Sequence, residues 1–438
     1  MKVLKFGGTS VGSAQRMKDV AKLITGERNI VVLSAMSGTT NSLVEISDYL
    51  YKKNPDGANE VINKLAQKYY GHIEELYSTD EYKQKAKELI KHHFDHIRTF
   101  TKDLFTLFEE KVVLAQGELI STAMVNNYLL ENGVKSVLLP ALDFMRTDKN
   151  SEPDPTYIKE KLQTQLELHP DADIYITQGF ICRNAYGEID NLLRGGSDYT
   201  ASLIGAAINA SEIQIWTDID GLHNNDPRIV DKTAPVRQLH FEEAAELAYF
   251  GAKILHPTCV QPAKYANIPV RLLNTMDPEA PGTLISNDTE KGKIKAVAAK
   301  DNITAIKIKS SRMLLAHGFL RKVFEIFESY QTSIDMICTS EVGVSVTIDN
   351  TKHLNEILDD LKKYGTVTVD KEMCIICVVG DLEWENVGFE AKALDAMRDI
   401  PVRMISFGGS NYNISFLIRE CDKKVALQSL SDMLFNGK

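Results

Sequence analysis

The sequence predicts an α/β protein: a mostly parallel sheet with helices on both faces, followed by two smaller βαββαβ modules. Three observations carry this. Near-continuous apolar runs alternate with stretches of helical periodicity up to about residue 285. Two polar, turn-rich segments then interrupt the chain, DPEAPG at 277–282 and NDTEKGK at 287–293. Beyond them shorter units repeat at a spacing of roughly 70 residues, with Asp335-Met336-Ile337 in the first matching Arg403-Met404-Ile405 in the second.

The elements follow in order. Val3, Leu4 and Phe6 read as a short buried strand, and helical spacing sets in from Val11. Between them lies KFGGTS at 5–10, a glycine turn from strand to helix that directs backbone N–H groups and a helix dipole at one point. It fits neither G-x-x-x-x-G-K-[ST] nor G-x-G-x-x-G. The runs at 29–38, 134–141, 172–180 and 212–221 are apolar enough for strands buried on both faces. Residues 41–131 read as helical and include a long charged segment, a candidate to stand out from the body. Ligand sites in such sheets lie at the carboxyl ends of the strands. The first module begins at Ile303 and the second at Met373.

At 438 residues the chain is too long for one ordinary core. Its 44% hydrophobic and 25% charged content is that of a globular protein, and a net charge of −10 argues against nucleic acid as a partner. The longest uncharged stretch, 199–211, is too short to cross a bilayer, so a cytoplasmic protein with no membrane partner is expected. Six scattered cysteines read as reduced thiols. Cys374 and Cys377 form a C-x-x-C, but residues three apart on a strand point to opposite faces, which assigns them to packing. His92, His93 and His96 lie among charged neighbours and read as a solvated helix surface.

Four further segments put polar groups where strands should end. SAMSGTTNS at 34–42 offers small hydroxyls and a glycine, QGELIST at 116–122 puts Glu118 at a helix start, RGGSDYTA at 194–201 is a second glycine-pair loop, and FGAKILHP at 250–257 presents Lys253. Singly they read as a helix-dipole partner (Glu118), a surface ion pair (Arg194), a cap (Asp198) and a solvated lysine (Lys253). Together, on consecutive strand ends, they point to one site.

In this order KFGGTSV, Ser34 to Asn41, GELIST, RGGSDYTA, the TD…DPR segment and FGAKILHP resemble the motif series of the aspartokinases, over the whole chain and with a tandem pair of ACT-like modules. No homoserine dehydrogenase-like extension follows, so the resemblance is to the monofunctional form. It implies the amino acid kinase fold over 1–290, ACT regulatory domains at 300–370 and 371–438, and the reaction of ATP with L-aspartate to give 4-phospho-L-aspartate and ADP.

The same resemblance implies residue roles. Lys5, Asp198 and Lys253 would be catalytic, while Ser34, Thr40, Glu118 and Arg194 would hold aspartate, the arginine clamping its α-carboxylate and the glutamate taking its α-ammonium. The nucleotide would meet Lys5, Phe6, Gly7, Gly8, Ser197, Thr217, Asp218, His223, Arg228 and Lys253, with Mg²⁺ carried on ATP and no separate metal site. An effector amino acid, L-lysine, would bind at Met313, Ala316, Gly318, Phe319, Leu320, Ile334, Asp335, Ser340 and Glu341. His223 and Ala316 depart from the family pattern, where a tyrosine and, in lysine-sensitive relatives, a serine are common. A homodimer or larger assembly through the ACT modules is expected. The competing readings are a kinase of the same fold with another amino acid acceptor, and an amino-acid-sensing pseudo-kinase.

Overall fold

The computed structural model describes residues 1–102, 104–192, 195–251, 255–310 and 317–436. They form two compact units, one of residues 1–222 with 255–287, the other of 223–254 with 288–438.

The first unit begins with β1 (Lys2–Phe6), α1 (Ala14–Ile24), β2 (Asn29–Leu33), α2 (Thr39–Tyr51), α3 (Pro55–Leu76), α4 (Asp80–Thr99), α5 (Leu107–Glu131), β3 (Ser136–Leu139) and β4 (Ile174–Gln178). Its strands run in the order β3, β4, β2, β1, Ile213–Thr217, Val270–Asn274, Thr283–Ser286. All neighbours are parallel except the last pair. β2 and β4 are buried at every position, as inner strands of a doubly covered sheet must be. Both stop short of the apolar runs that announced them. In the first case residues 34–38 leave the sheet as a loop that ends at Gly38, whose φ of 82° starts α2.

Two kinds of helix start bear on the site. Ser13, Asn54, Thr79 and Thr106 each accept an N–H of the helix they open, Thr106 in a capping box with Glu109. α2 and the helix Gly196–Ile208 instead begin at left-handed glycines, Gly38 and Gly195, with no side-chain cap. The Thr39 and Asp198 amides turn back onto the Met36 and Gly195 carbonyls at 3.0 and 2.8 Å, and the rest of each first turn has no side-chain cap.

The charged segment does not stand out. α3 and α4 keep their charges on one face and bury Tyr69, Ile73, Phe94 and Ile97 in the same core as Phe6 and Met17. On that packed side His93 Nδ1 pairs with Gln116 Oε1 at 2.6 Å, so this histidine is not merely a solvated surface group. No helix among the described residues is long and apolar enough to cross a membrane.

The second unit holds a sheet in the order Ile337–Ser340, Gly343–Ile348, Ile294–Lys309, Thr366–Gly380, Asn413–Arg419, Met404–Phe407. Helices Phe319–Ser329 and Phe389–Ala396 start at Gly318 and Gly388, which occupy equivalent places in the repeat and share φ values of 82° and 91°. Two βαββαβ modules form, and the second draws one of its strands from ahead of the first. The central strands are long and shared: residues 304–309 pair with Gly343–Ile348 and 305–309 with 366–370 in the first module, while 294–300 pair with 375–380 and complete the second, which ends in the helix Lys423–Leu434. Register shifts between Lys300 and Ala305 separate the two halves. Cys374 and Cys377 are fully buried on Thr366–Gly380, and burial pushes both thiols up.

Candidate active site

A cavity of about 570 Å³ opens where β1, β2 and β4 end. β1 delivers Lys5 and Gly8, the loop after β2 Ser34 and Thr40, α5 Glu118, and the helix Gly196–Ile208 Ser197 and Asp198. Residues scattered from 5 to 198 thus meet at the carboxyl edge of one sheet.

At its floor Lys5 Nζ pairs with Asp198 Oδ1 at 2.7 Å, both side chains largely buried. The two glycine-pair loops make this possible. A Cβ on Gly8 would lie 2.8 Å from the Ala35 carbonyl oxygen, so only glycine lets the loops after β1 and β2 touch, as they do through Ser37 N–H donating to the Gly8 carbonyl at 3.1 Å. Gly195 is left-handed, and a Cβ there would overlap Cys259 Sγ. The Gly7 amide is engaged: it donates to the Trp216 carbonyl at 3.4 Å, which removes it as the free donor the sequence suggested. Phe6 is buried and stacks on Trp216 at 5.6 Å. Lys5 and Gly8 line the cavity, and Phe6 and Gly7 form the packing behind it.

Glu118 does not stand at a helix start. The capping box at Thr106 sets the start of α5, and the helix runs through Gly117 to Glu131, which leaves Glu118 in mid-helix with no terminal dipole to meet. Its Oε1 accepts the Ala35 N–H at 3.2 Å, while its Oε2 is buried with no hydrogen-bond partner among the described residues. Burial pushes this carboxyl up to about 7, against the pull of the Ala35 amide. One turn on, Ser121 Oγ donates to the Ser34 carbonyl at 2.7 Å, and Ser34 Oγ donates to Ser197 Oγ at 3.0 Å. Gln178 bridges Thr122 Oγ1 at 2.8 Å and the Ala141 N–H at 2.7 Å, fixing the end of β4 against α5.

The cavity therefore combines a lysine, two uncapped helix N-termini and an unpaired buried carboxyl oxygen. The first two suit an anion and the last suits a cation. A ligand carrying both, in contact with a group rich in negative charge, fits that pattern.

The remaining expected residues divide. Thr217 ends the strand Ile213–Thr217, its Oγ1 taking the Ile219 N–H at 3.2 Å, and Asp218 follows it, exposed. In the second unit His223 Nδ1 meets Thr233 Oγ1 at 2.9 Å, and Arg228 forks onto Asp226 at 2.9 and 2.7 Å. Gly318, Phe319 and Leu320 open a helix, with Ile334 half-buried and Ser340 and Glu341 exposed. Asp335 is already held: its Oδ1 accepts from Lys300 Nζ at 2.7 Å and from the Tyr249 hydroxyl at 2.9 Å, while Oδ2 is buried without a partner among the described residues. Arg194, Lys253, Met313 and Ala316 lie outside the described residues.

Sequence reasoning missed Phe180, which lines the cavity with φ of 71° just after β4, and missed Lys68 and Tyr69 of α3 behind the loop after β2. The glycine in Q-G-F was the available signal for Phe180. Tyr69 gave none, because it continues a periodic apolar stripe.

Comparison with known proteins bears on this geometry. The model of the amino acid kinase family matches residues 1–274, and that of the ACT domain residues 376–434. Aspartokinase 1, chloroplastic, of Arabidopsis thaliana is 35% identical across 99% of this chain and 80% of its own length. This chain belongs to the aspartokinases. Escherichia coli aspartokinase III in complex with aspartate and ADP, described as the R-state, superposes with a TM-score of 0.85 at 32% identity, over 99% of this chain and 100% of that one. The same enzyme in complex with lysine and aspartate, the T-state, gives 0.82 at 33% identity over 99% of both chains. The aspartokinase cavity thus belongs to an aspartate kinase with an allosteric ACT region, an enzyme of amino-acid biosynthesis.

Proposed function

We propose that the cavity holds L-aspartate with its side-chain carboxylate turned toward the γ-phosphate of ATP. The observation that carries this is the meeting of the Lys5–Asp198 pair, two uncapped helix N-termini and the unpaired Glu118 oxygen in one space. The acceptor carboxylate is ionised at neutral pH and needs no strong base. Its oxygen attacks the γ-phosphorus, the bond to the ADP oxygen breaks, and 4-phospho-L-aspartate leaves. The protein's task is alignment and charge compensation.

In this reading Glu118 Oε2 receives the α-ammonium, Ser34 and Thr40 border the substrate, and Arg194 takes the α-carboxylate. Lys5, held in place by Asp198, compensates charge on the transferring phosphoryl group. Gly8, Ser197, Thr217, Asp218, His223, Arg228 and Lys253 serve the nucleotide, with Phe6 and Gly7 supporting from behind. Mg²⁺ arrives on the nucleotide, where it neutralises phosphate charge. Of the two carboxylates lining the cavity, Asp198 is committed to Lys5, and burial pushes Glu118 up to about 7, which leaves it about half ionised at neutral pH.

We further propose catalysis over 1–290 and regulation over 300–370 and 371–438, with L-lysine as feedback inhibitor and the reaction as the first step toward lysine, threonine and methionine in the cytoplasm. The unpaired Asp335 Oδ2 supports an ammonium at the group Gly318–Leu320, Ile334, Asp335, Ser340 and Glu341, to which the motif adds Met313 and Ala316. Exposed Ile337, Ile405 and Phe407 on the outer strands support pairing of two copies. ADP release with a panel of amino acid acceptors, each with and without lysine, threonine or methionine, is the test. Turnover with aspartate alone, inhibited by lysine, is expected; turnover only with another acceptor, or inhibition by threonine alone, contradicts the respective part.

A further inference from the structure

The loop after β2 is gripped from two sides. From α5, Gly117 brings the helix so close that a Cβ would lie 2.8 Å from Ala35 Cβ and 3.2 Å from Thr39 Cγ2, and Glu118 and Ser121 bond the loop directly. The second grip comes from α3. Lys68 Nζ donates to the Ser37 carbonyl at 2.7 Å, and the Tyr69 hydroxyl meets Thr39 Oγ1 at 2.9 Å, Tyr69 and Thr39 being essentially inaccessible to solvent. These two bonds land on either side of Gly38, the left-handed residue that opens α2 without a side-chain cap. Ser37, Gly38 and Thr40 all line the cavity, whereas Lys68 and Tyr69 do not.

A glycine-opened helix start has little stiffness of its own, since glycine accepts many backbone conformations. The Ser37 and Thr39 bonds supply what the missing cap does not. We infer that Lys68 and Tyr69 are positioning residues for the acceptor: they set where the first amides of α2 and the Thr40 hydroxyl stand, and so the fit of the amino acid but not of the nucleotide. The α3–α4 hairpin is on this account part of the acceptor site's frame. The inference rests on the acceptor-site reading above.

The test is steady-state kinetics on the full-length enzyme carrying Tyr69→Phe, Lys68→Gln or, as reference, Glu118→Gln, with thermal midpoints measured alongside. Tyr69→Phe removes only an oxygen, and Lys68 is exposed enough that its variant folds. Each should raise the aspartate KM by about fivefold, a lost hydrogen bond's worth, with kcat within about twofold and the ATP KM unmoved. Combining Tyr69→Phe with Thr39→Val should cost no more than either alone, because they remove the same bond. A merely structural role would lower the thermal midpoint and the active fraction and leave the aspartate KM in place. If Glu118→Gln raises the aspartate KM while both α3 variants leave it unchanged, the bracing is overturned and the acceptor site stands. If Glu118→Gln also leaves it unchanged, the acceptor site fails and the bracing falls with it.

Discussion

Glu118 in the first unit and Asp335 in the second are alike in outline. Each is buried, each commits one carboxyl oxygen, and each keeps the other without a partner among the described residues. They differ in what they already hold. Glu118 has only the Ala35 amide, so its charge awaits a cation from the ligand, and burial has moved it to about 7. Asp335 holds the Lys300 ammonium and the Tyr249 hydroxyl, and Lys300 also reaches Asp349 at 2.9 Å. Burial pushes Asp335 up as well, but Lys300 pulls against it. A buried carboxyl with no cation of its own, as at Glu118, would gain most from a ligand's ammonium; one already paired with Lys300, as at Asp335, would make a ligand share it. The first arrangement suits selective substrate capture, the second a graded response.

The largest expected effect belongs to the cavity's own cation. Lys5→Ala should lower kcat by two to three orders of magnitude, about 3–4 kcal/mol, with a small change in either KM, since its charge matters most as the phosphoryl group transfers. Comparable turnover in mutant and wild type would remove Lys5 from the chemistry.

Next comes Glu118→Gln, in two opposite directions. Aspartate KM should rise by roughly thirty- to several-hundredfold, as a charge-assisted bond worth about 2–4 kcal/mol is lost. The ligand-free fold should at the same time gain stability above pH 7. A carboxyl raised from 4.5 to about 7 on folding disfavours the folded state as pH climbs through that window, by about 3 kcal/mol once complete, and glutamine removes that penalty. Calorimetry at pH 5 and pH 8 reads it: the mutant's advantage should be small at pH 5 and several times larger at pH 8.

Much of this was legible beforehand. Lys5, Gly8, Ser34, Thr40, Glu118, Ser197 and Asp198 were named from four separate segments, and all line one cavity. Glycine pairs after strands leave a local mark that spacing can reveal. Glu118's placement in mid-helix was hidden because Gly117 looks like a break, whereas it is a close contact inside a continuous helix. The bracing by Tyr69 and the sharing of strand Ile294–Lys309 between modules were hidden for a different reason. Both depend on which distant segment packs alongside, and neither changes the local pattern.

The internal cation of the second site gives the third prediction. Lys300→Met should make the enzyme about tenfold more sensitive to lysine, because the effector no longer shares Asp335, while Asp335→Ala should desensitise it. Inhibition curves at fixed aspartate decide; a Lys300→Met enzyme less sensitive than wild type would mean that Lys300 helps the effector rather than competing. The smallest effect belongs to the repeat's other copy. There Arg403 stands where Asp335 stands in the first, and pairs with Asp370 at 2.7 Å in a half-exposed bridge. Arg403→Ala should cost less than about 1 kcal/mol in denaturant unfolding and leave the lysine response unaltered.

The pH profile of the aspartate KM tests the central claim, that Glu118 meets the acceptor's ammonium, most directly. Free aspartate changes no charge between pH 5.5 and 8, so a titration in that range, read at saturating Mg-ATP and lost in Glu118→Gln, belongs to the enzyme. With Glu118 near 7, 1/KM for aspartate should climb toward tenfold per unit at the acid end, level off above about pH 7.5, and become flat in Glu118→Gln. A wild-type profile already flat across that range, or one whose rise survives unchanged in Glu118→Gln, would contradict it.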